Sequence, residues 1–216
     1  MQNITKIILI RHGESLGNAN RQMLGHTNLD LSPLGYLQAE ATGNHLKNVK
    51  IDKIYSSDLI RAYNTAIPHA KLRNLEINKS EKLREIHIVG WEGLHLEEIF
   101  EKYGREMFYT DWKKHFGIFS FPEGESVQGA GKRFYEEIMR ISSENLGKTV
   151  LIAAHAAVIR SFWAIISGIS WEELANTIDF PSNASYSIAV YDGERIIPES
   201  YSNDAHLSNV GITQFN

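Results

Sequence analysis

Four short segments of this chain combine residue types that can hold an anion and move protons. The first, Ile10-Arg11-His12-Gly13-Glu14-Ser15, sets a basic pair and a glycine directly after an apolar run. A histidine there can meet a ligand while the run before it holds its backbone. Gly13 admits close backbone approach, and the Arg11 guanidinium offers a fork of donors matched to phosphate. Taken alone, the segment is equally a turn with charged punctuation. In Ser56-Ser57-Asp58-Leu59-Ile60-Arg61-Ala62, Arg61 falls in the first turn of an expected helix. Helix dipole and guanidinium would there act on one anion, although a lone arginine is more often a surface residue. Leu83-Arg84-Glu85-Ile86-His87 precedes Gly90-Trp91-Glu92-Gly93. A carboxyl among apolar and aromatic neighbours can keep its proton near neutrality, while most glutamates are solvated or salt-bridged. Last, His155 follows Ala153-Ala154 and precedes Ala156-Ala157-Val158-Ile159-Arg160. Its bland reading is a structural histidine, with Arg160 a charge on a helix surface. Together the segments supply two histidines and two arginines at strand ends, plus one candidate proton donor.

Positioning these residues falls to a regular alternation of elements. Residues 6–10 are β-branched without alternation, as in a strand buried on both faces. Ser32 as N-cap and Pro33 at the first helical position start a helix with Leu34, Leu37, Ala41 and Leu46 on its apolar stripe. Residues 51–56 read as a strand, 59–70 as a helix stopped near Pro68, and 94–103 as a helix ending at Gly104. Residues 115–125 mix Gly117, Pro122 and Gly124 with Phe116, Phe119 and Phe121, which marks a loop with its own hydrophobic contacts. An amphipathic helix over 126–144, a strand over 149–154 and a helix over 158–166 come next. Residues 185–191 and 195–201 form a hairpin around Asp192-Gly193. Strands alternating with helices predict an α/β fold, three layers α/β/α with a mostly parallel central sheet. Ligands bind beyond the carboxyl ends of such strands, which directs attention to His12 and His155. With no repeat, low-complexity tract or Pro/Gly-rich linker, residues 1–216 are expected to form one domain.

Composition narrows the partners. The 216 residues include 43% hydrophobic and 22% charged residues and no cysteine, which removes disulfides, cysteine zinc sites and thiol catalysis together. A net charge of −4 argues against broad nucleic-acid binding, which wants a basic face. The polar opening of residues 1–6 and the short run Ile7-Ile8-Leu9-Ile10 do not make a signal peptide. The apolar stretch over 150–169 contains His155 and Arg160, so burial in a core is expected rather than a membrane span. A cytoplasmic location, with no nucleic acid or membrane as partner, is the expectation.

Arg11-His12-Gly13-Glu14-Ser15 with Asn18 resembles the signature of the histidine phosphatase superfamily, the phosphoglycerate mutase-like group. Further pieces fall in that family's order: Asn20-Arg21 and Gly25 before Asp30-Leu31-Ser32, then Gly35, Gln38-Ala39, Arg61-Ala62, Thr65-Ala66, Glu85, Gly90-Trp91-Glu92-Gly93, Pro122 to Ser126, and His155 with Val158-Ile159-Arg160. The resemblance implies a phosphoglycerate mutase-like fold and a phosphohistidine formed on His12. Arg11, Arg61 and His155 would surround the transferred phosphoryl group, with Asn18 as a neutral donor, and Glu85 would protonate the leaving oxygen. Arg21 and Ala156 are carried over with them as substrate contacts. No cofactor and no metal is implied, and none of the nine histidines makes an HExxH pattern, so a metal site at His87 and His95 ranks below phosphotransfer. A small phosphorylated substrate and a homodimer are the expected partners.

Two departures from the family pattern, and likenesses to one branch or the other, bear on activity. Two alanines follow His155 where glycine is usual, and Ala157 would strain the pocket if its φ were positive. His87, and the basic pair in Trp112-Lys113-Lys114, resemble the mutases; the pair either binds a substrate carboxylate or second phosphate, or is a solvated helix face. Gly90-Trp91-Glu92-Gly93 and the Pro122 to Ser126 segment resemble the phosphatases. Phe116, Phe119 and Phe121 form either a hydrophobic lid or simple loop packing. The leading expectation is therefore a metal-independent phosphomonoesterase acting on a small phosphorylated metabolite. A bisphosphoglycerate-primed phosphoglycerate mutase is the alternative, and a catalytically weak module that binds phosphorylated ligands comes third.

Overall fold

The structure is a computed structural model that describes residues 4–214; the readings made for residues 1–3 and 215–216 lie outside them. Strand β1 (Thr5–Arg11) shows why its sequence carries no alternation. Ile7 and Leu9 point into one hydrophobic cluster and Ile8 and Ile10 into another, so both faces of the strand are covered. Burying each such side chain contributes roughly 1.5–3 kcal/mol. β4 (Thr149–Ala154) repeats the pattern, with Val150, Ile152 and Ala154 on one face and Leu151 and Ala153 on the other.

With β2 (Lys53–Ser57), β3 (Ile77–Ser80), β5 (Tyr186–Tyr191) and β6 (Ile196–Asn203), these strands make a six-stranded sheet in the order β3-β2-β4-β1-β5-β6. The first four run parallel, and the β5–β6 hairpin joins antiparallel to β1. Asp192 closes that hairpin by accepting from the backbone of Glu194 and Arg195, both at 2.9 Å. A mostly parallel sheet with helices on both faces is the α/β architecture the sequence predicted.

After the short helix α1 (Leu16–Ala19), α2 (Pro33–His45) packs on one face against α3 (Ile60–Arg73), which covers β2 and β4 with Ala66 and Ala70. Ser32 caps α2 as expected, its hydroxyl accepting from the Gly35 amide at 3.0 Å. On the other face lie α5 (Val127–Ser143), capped by Ser126, and α6 (Ala156–Ser167), which buries Val158, Ile159, Phe162 and Trp163. The stretch over 150–169 is thus split between a central strand and a core helix. Among the described residues no helix is long and apolar enough to cross a membrane.

Two expectations need correction. α3 does not stop at Pro68 but continues to Arg73 with the proline inside it. Proline forfeits one intrahelical bond, and here its ring packs against α2 at Gly43, where an added Cβ would lie 2.9 Å from Pro68. The helix over 158–166 begins two residues earlier, at Ala156, directly after His155.

Between β3 and α5 the chain makes a long excursion containing α4 (Leu96–Tyr103) and a π-helical turn, Met107–Lys114. Its aromatic rings enter the core: Trp91 meets Phe121 edge-on at 5.3 Å, and Phe108 lies 4.8 Å from Trp112. Phe116, Phe119 and Phe121 are all buried, as the loop reading required.

Candidate active site

Parallel pairing decides where the two histidines go. Arg11 of β1 is in register with Ala154 of β4, so the next residue on each strand emerges at the same height. The His12 amide donates to the Ala154 carbonyl at 2.9 Å, and the His12 and His155 rings lie 5.2 Å apart. Arg61, in the first turn of α3, and Glu85, after β3, reach the same place from the neighbouring strands β2 and β3.

His12 is held by backbone on every side. Its Nδ1 donates to the Gly13 carbonyl at 2.7 Å. A carbonyl can only accept, so the proton sits on Nδ1 and the lone pair on Nε2. Burial, then the charges of Arg61 and Arg11, push its pKa well below the ordinary histidine value and keep the ring neutral. The His12 carbonyl accepts from the Ala184 amide and the Asn183 side chain, both at 3.1 Å. The loop after His12 fits directly against α2: a Cβ on Gly13 would stand 2.5 Å from the Gly35 carbonyl oxygen, and one on Gly35 only 1.9 Å from that of Glu14.

Both arginines are buried cations fixed by carbonyls. Arg11 donates one terminal nitrogen to Pro181, and Arg61 donates to Thr27 at 2.8 Å and Gly25 at 2.7 Å. Desolvation lowers each pKa to about 10, which still leaves both charged at neutral pH. Each keeps a buried Nε with no partner, and so do both ring nitrogens of His155, which is 0% exposed. Burial, then the charge of Arg61, also holds His155 neutral. Buried donors without acceptors cost about 1–3 kcal/mol each. Here Arg11 and Arg61 line one cavity with His155 beside it, an arrangement able to hold an anion.

Glu85 sits across the start of α6. Its carboxylate accepts from the amides of Ala157 at 3.0 Å and Val158 at 3.2 Å, and from its neighbour Ile86 at 3.0 Å. This answers the question raised by Ala157, which lies in the first turn of a helix and is absent from the positive-φ residues. Its methyl adds no backbone strain, and its amide helps to hold Glu85. Asn18 accepts through its side-chain oxygen from the Ser15 amide and from Asn183, which leaves its NH2 group as a donor.

Arg11, His12, Asn18, Arg61, Glu85 and Ala156 line one cavity of about 90 Å³, with His155 beside it. Arg21 does not join them. It is exposed, with φ of +57°, and lines a neighbouring cavity of about 670 Å³ that shares Arg11 and Asn18 with the first. Of the basic pair after Trp112, Lys113 and Lys114 are exposed, and Lys113 borders a further cavity of about 400 Å³. His87 stacks on His26 at 4.3 Å, and among the described residues no cluster of three histidines and carboxylates could hold a metal ion.

Sequence reasoning assigned no role to the residues that hold the others. Asn183 ties His12 to Asn18, Thr65 accepts from the Gly13 amide at 3.0 Å, and Arg133 donates to the Glu85 carbonyl while paired with Glu125 at 2.8 Å. Nothing in local spacing marks Arg133 or Asn183, because each reaches the site only through tertiary contacts.

The chain is similar to known proteins along most of its length. The chain is 30% identical over 205 residues to phosphoserine phosphatase 1 of Hydrogenobacter thermophilus, covering 94% of this chain and 95% of that one. It is 32% identical over 175 residues to a 2,3-bisphosphoglycerate-dependent phosphoglycerate mutase of Bartonella tribocorum, covering 78% and 84%. Among solved structures, Bacillus stearothermophilus YhfR superposes with a TM-score of 0.87 at 27% identity, covering 94% of this chain and all of that one. The family model of the histidine phosphatase superfamily, branch 1, matches residues 7–204, and the chain belongs to that family.

Proposed function

We propose that the protein is a metal-independent phosphomonoesterase that cleaves a small phosphorylated metabolite through a phosphohistidine on His12. One observation carries the reading: a neutral histidine with a free Nε2 stands beside buried arginine and histidine nitrogens that have no partner in the protein. A phosphoryl group supplies the acceptors those donors lack.

In the first step the Nε2 lone pair attacks phosphorus. The bond from phosphorus to the ester oxygen breaks, its electron pair stays on that oxygen, and the Glu85 carboxyl delivers a proton to it. Arg11, Arg61, His155 and Asn18 stabilise charge on the non-bridging oxygens as it redistributes. In the second step water gives a proton to Glu85 and attacks phosphorus, the P–N bond breaks, and its electrons return to Nε2. Inorganic phosphate leaves and both residues are restored. Glu85 is held for both transfers by the amides at the start of α6.

Relatives named as phosphoserine phosphatases support hydrolysis, and a relative named as a mutase keeps re-transfer as the second reading. Release of phosphate from 4-nitrophenyl phosphate in EDTA, without a bisphosphorylated primer, tests the difference. His12→Ala is expected to lose at least ~1,000-fold in kcat/KM while the fold survives. Near-normal turnover in that variant refutes the nucleophile, and dependence on primer favours the mutase. Glu85→Gln is expected to cost about 100-fold or more on an alkyl phosphate and far less on the activated aryl ester. Equal losses on both count against Glu85 as the acid.

A further inference from the structure

The proposed chemistry uses one end of the catalytic cavity and leaves the other unassigned. Among the described residues, the charged groups lining this cavity are Arg11, Arg61 and Glu85, all engaged by the phosphoryl transfer. The rest of its wall is built largely from Met23, Ile88, Trp112, Phe116, Phe121 and Phe180. A substrate carboxylate or ammonium placed there would lose its water and find no countercharge. Lys113, the nearest cation in sequence to this wall, lines a neighbouring cavity that shares Trp112, Phe116 and Phe180 with it.

Arg160, whose bland sequence reading is a surface charge, stands behind this wall. It is only 4% exposed. Its guanidinium lies 4.3 Å from the centre of the Phe180 ring and 4.7 Å from that of Phe116. Its nitrogens donate to the carbonyls of Ile178 at 2.6 Å, Ala175 at 3.0 Å and Leu174 at 3.2 Å, at and just beyond the short helix α7 (Leu174–Thr177). Phe180 follows two residues after Ile178 and meets Phe116 edge-on at 5.1 Å. One planar cation thus fixes both the chain that carries Phe180 and the faces of two rings.

Building on the phosphatase reading, we propose that this wall is a leaving-group subsite for an apolar, ring-bearing alcohol, with Arg160 as its positioning residue. The favoured substrates are phosphate monoesters of aromatic or bulky apolar alcohols, in preference to esters whose alcohol carries a carboxylate or ammonium. A lysine at 160 keeps the charge but loses the stacking plane and the fork of donors.

The test measures kcat/KM for 2-phenylethyl phosphate, ethyl phosphate, O-phosphoserine and 3-phosphoglycerate, with 4-nitrophenyl phosphate as reference. The first two alcohols have similar acidity, so their ratio reads the subsite rather than leaving-group chemistry. The ratio of 2-phenylethyl to ethyl ester is expected at about 10 or more, with the two charged esters at least about 10-fold below the phenylethyl one. Arg160→Lys and, separately, Phe180→Ala are expected to bring the phenylethyl-to-ethyl ratio to within about twofold of one, through a raised KM for the phenylethyl ester. Damage to the fold alone lowers both esters together, and a ratio that stands in both variants overturns the role of this wall. Equal use of the two alkyl esters by the wild type, or a preference for the charged ones, overturns the subsite while the phosphatase reading survives. If the folded wild type cleaves none of the five, the phosphatase reading fails and the subsite with it.

Discussion

His155 and His69 are two buried histidines with nearly the same local description. Both are 0% exposed, both have ring nitrogens without a partner, and burial is the largest cause lowering the pKa of each. Only their surroundings differ. His155 ends a parallel strand beside His12, in the company of Arg11 and Arg61, whose Nε atoms are also unpartnered. His69 lies within α3, and the guanidinium nearest it, on Arg73, is bonded to the carbonyls of His69, Leu46 and Val49. A lowered pKa and orphaned nitrogens therefore do not by themselves mark a site. What sets His155 apart is the pair of arginines with unpartnered Nε atoms that line the cavity beside it.

The same substitution at both positions gives the sharpest way to break this contrast. His155→Phe is expected to lose about 100-fold or more in kcat/KM on 4-nitrophenyl phosphate, as for loss of one transition-state donor. His69→Phe is expected to stay within about twofold of wild type in the same assay. Comparable losses at both sites would mean that burial, not convergence of donors, decides which histidine matters.

Stability sharpens it further, with a smaller effect. Filling the His69 position with a ring that needs no hydrogen bond is expected to leave stability unchanged or raise it by up to about 2 kcal/mol, read from denaturant midpoints at pH 7. A clear loss would show that the His69 ring has a bonding role.

A third readout is the pH dependence of stability. The unfolded chain binds a proton at each histidine below about pH 6.5. Native His69 does so only near its pKa of about 3, and native His12 and His155 are likewise depressed. The unfolded state then holds more protons, so stability is full above about pH 6.5 and falls on acidification, by up to about 1.4 kcal/mol per pH unit for each group. For His69 the window runs from about pH 6.5 down to about pH 3. The wild-type slope should flatten in His69→Phe, and an unchanged slope would place the proton uptake elsewhere.

Much of this arrangement is legible in the sequence, for reasons tied to particular residues. The unalternating runs ending at Ile10 and Ala154 announce strands buried on both faces, and such strands deliver the next residues of the chain to one edge of a sheet. Ser32-Pro33 and Ser126 are helix starts that local hydrogen bonding alone explains. Pro68 misled, because the loss of one backbone bond was outweighed by packing against Gly43 of α2, a partner far away in sequence. β3 was missed because Ile77-Asn78-Lys79-Ser80 is an edge strand, only partly buried and without a strong apolar pattern. The partners of Arg160 were not legible, because its residue type suggests solvent, whereas two aromatic rings and three carbonyls surround it.

By itself, then, the sequence determined the α/β layering, the caps and the set of residue types able to carry phosphoryl chemistry, since these depend on short-range periodicity and motif. The tertiary structure decided which nitrogen of His12 is free, which arginine donors remain unpartnered, how Glu85 meets the start of α6 and what walls the far end of the cavity. Each of those depends on atoms brought together across the sheet and the long excursion before α5, where hydrogen bonding and desolvation act over distances in space that sequence separation does not encode.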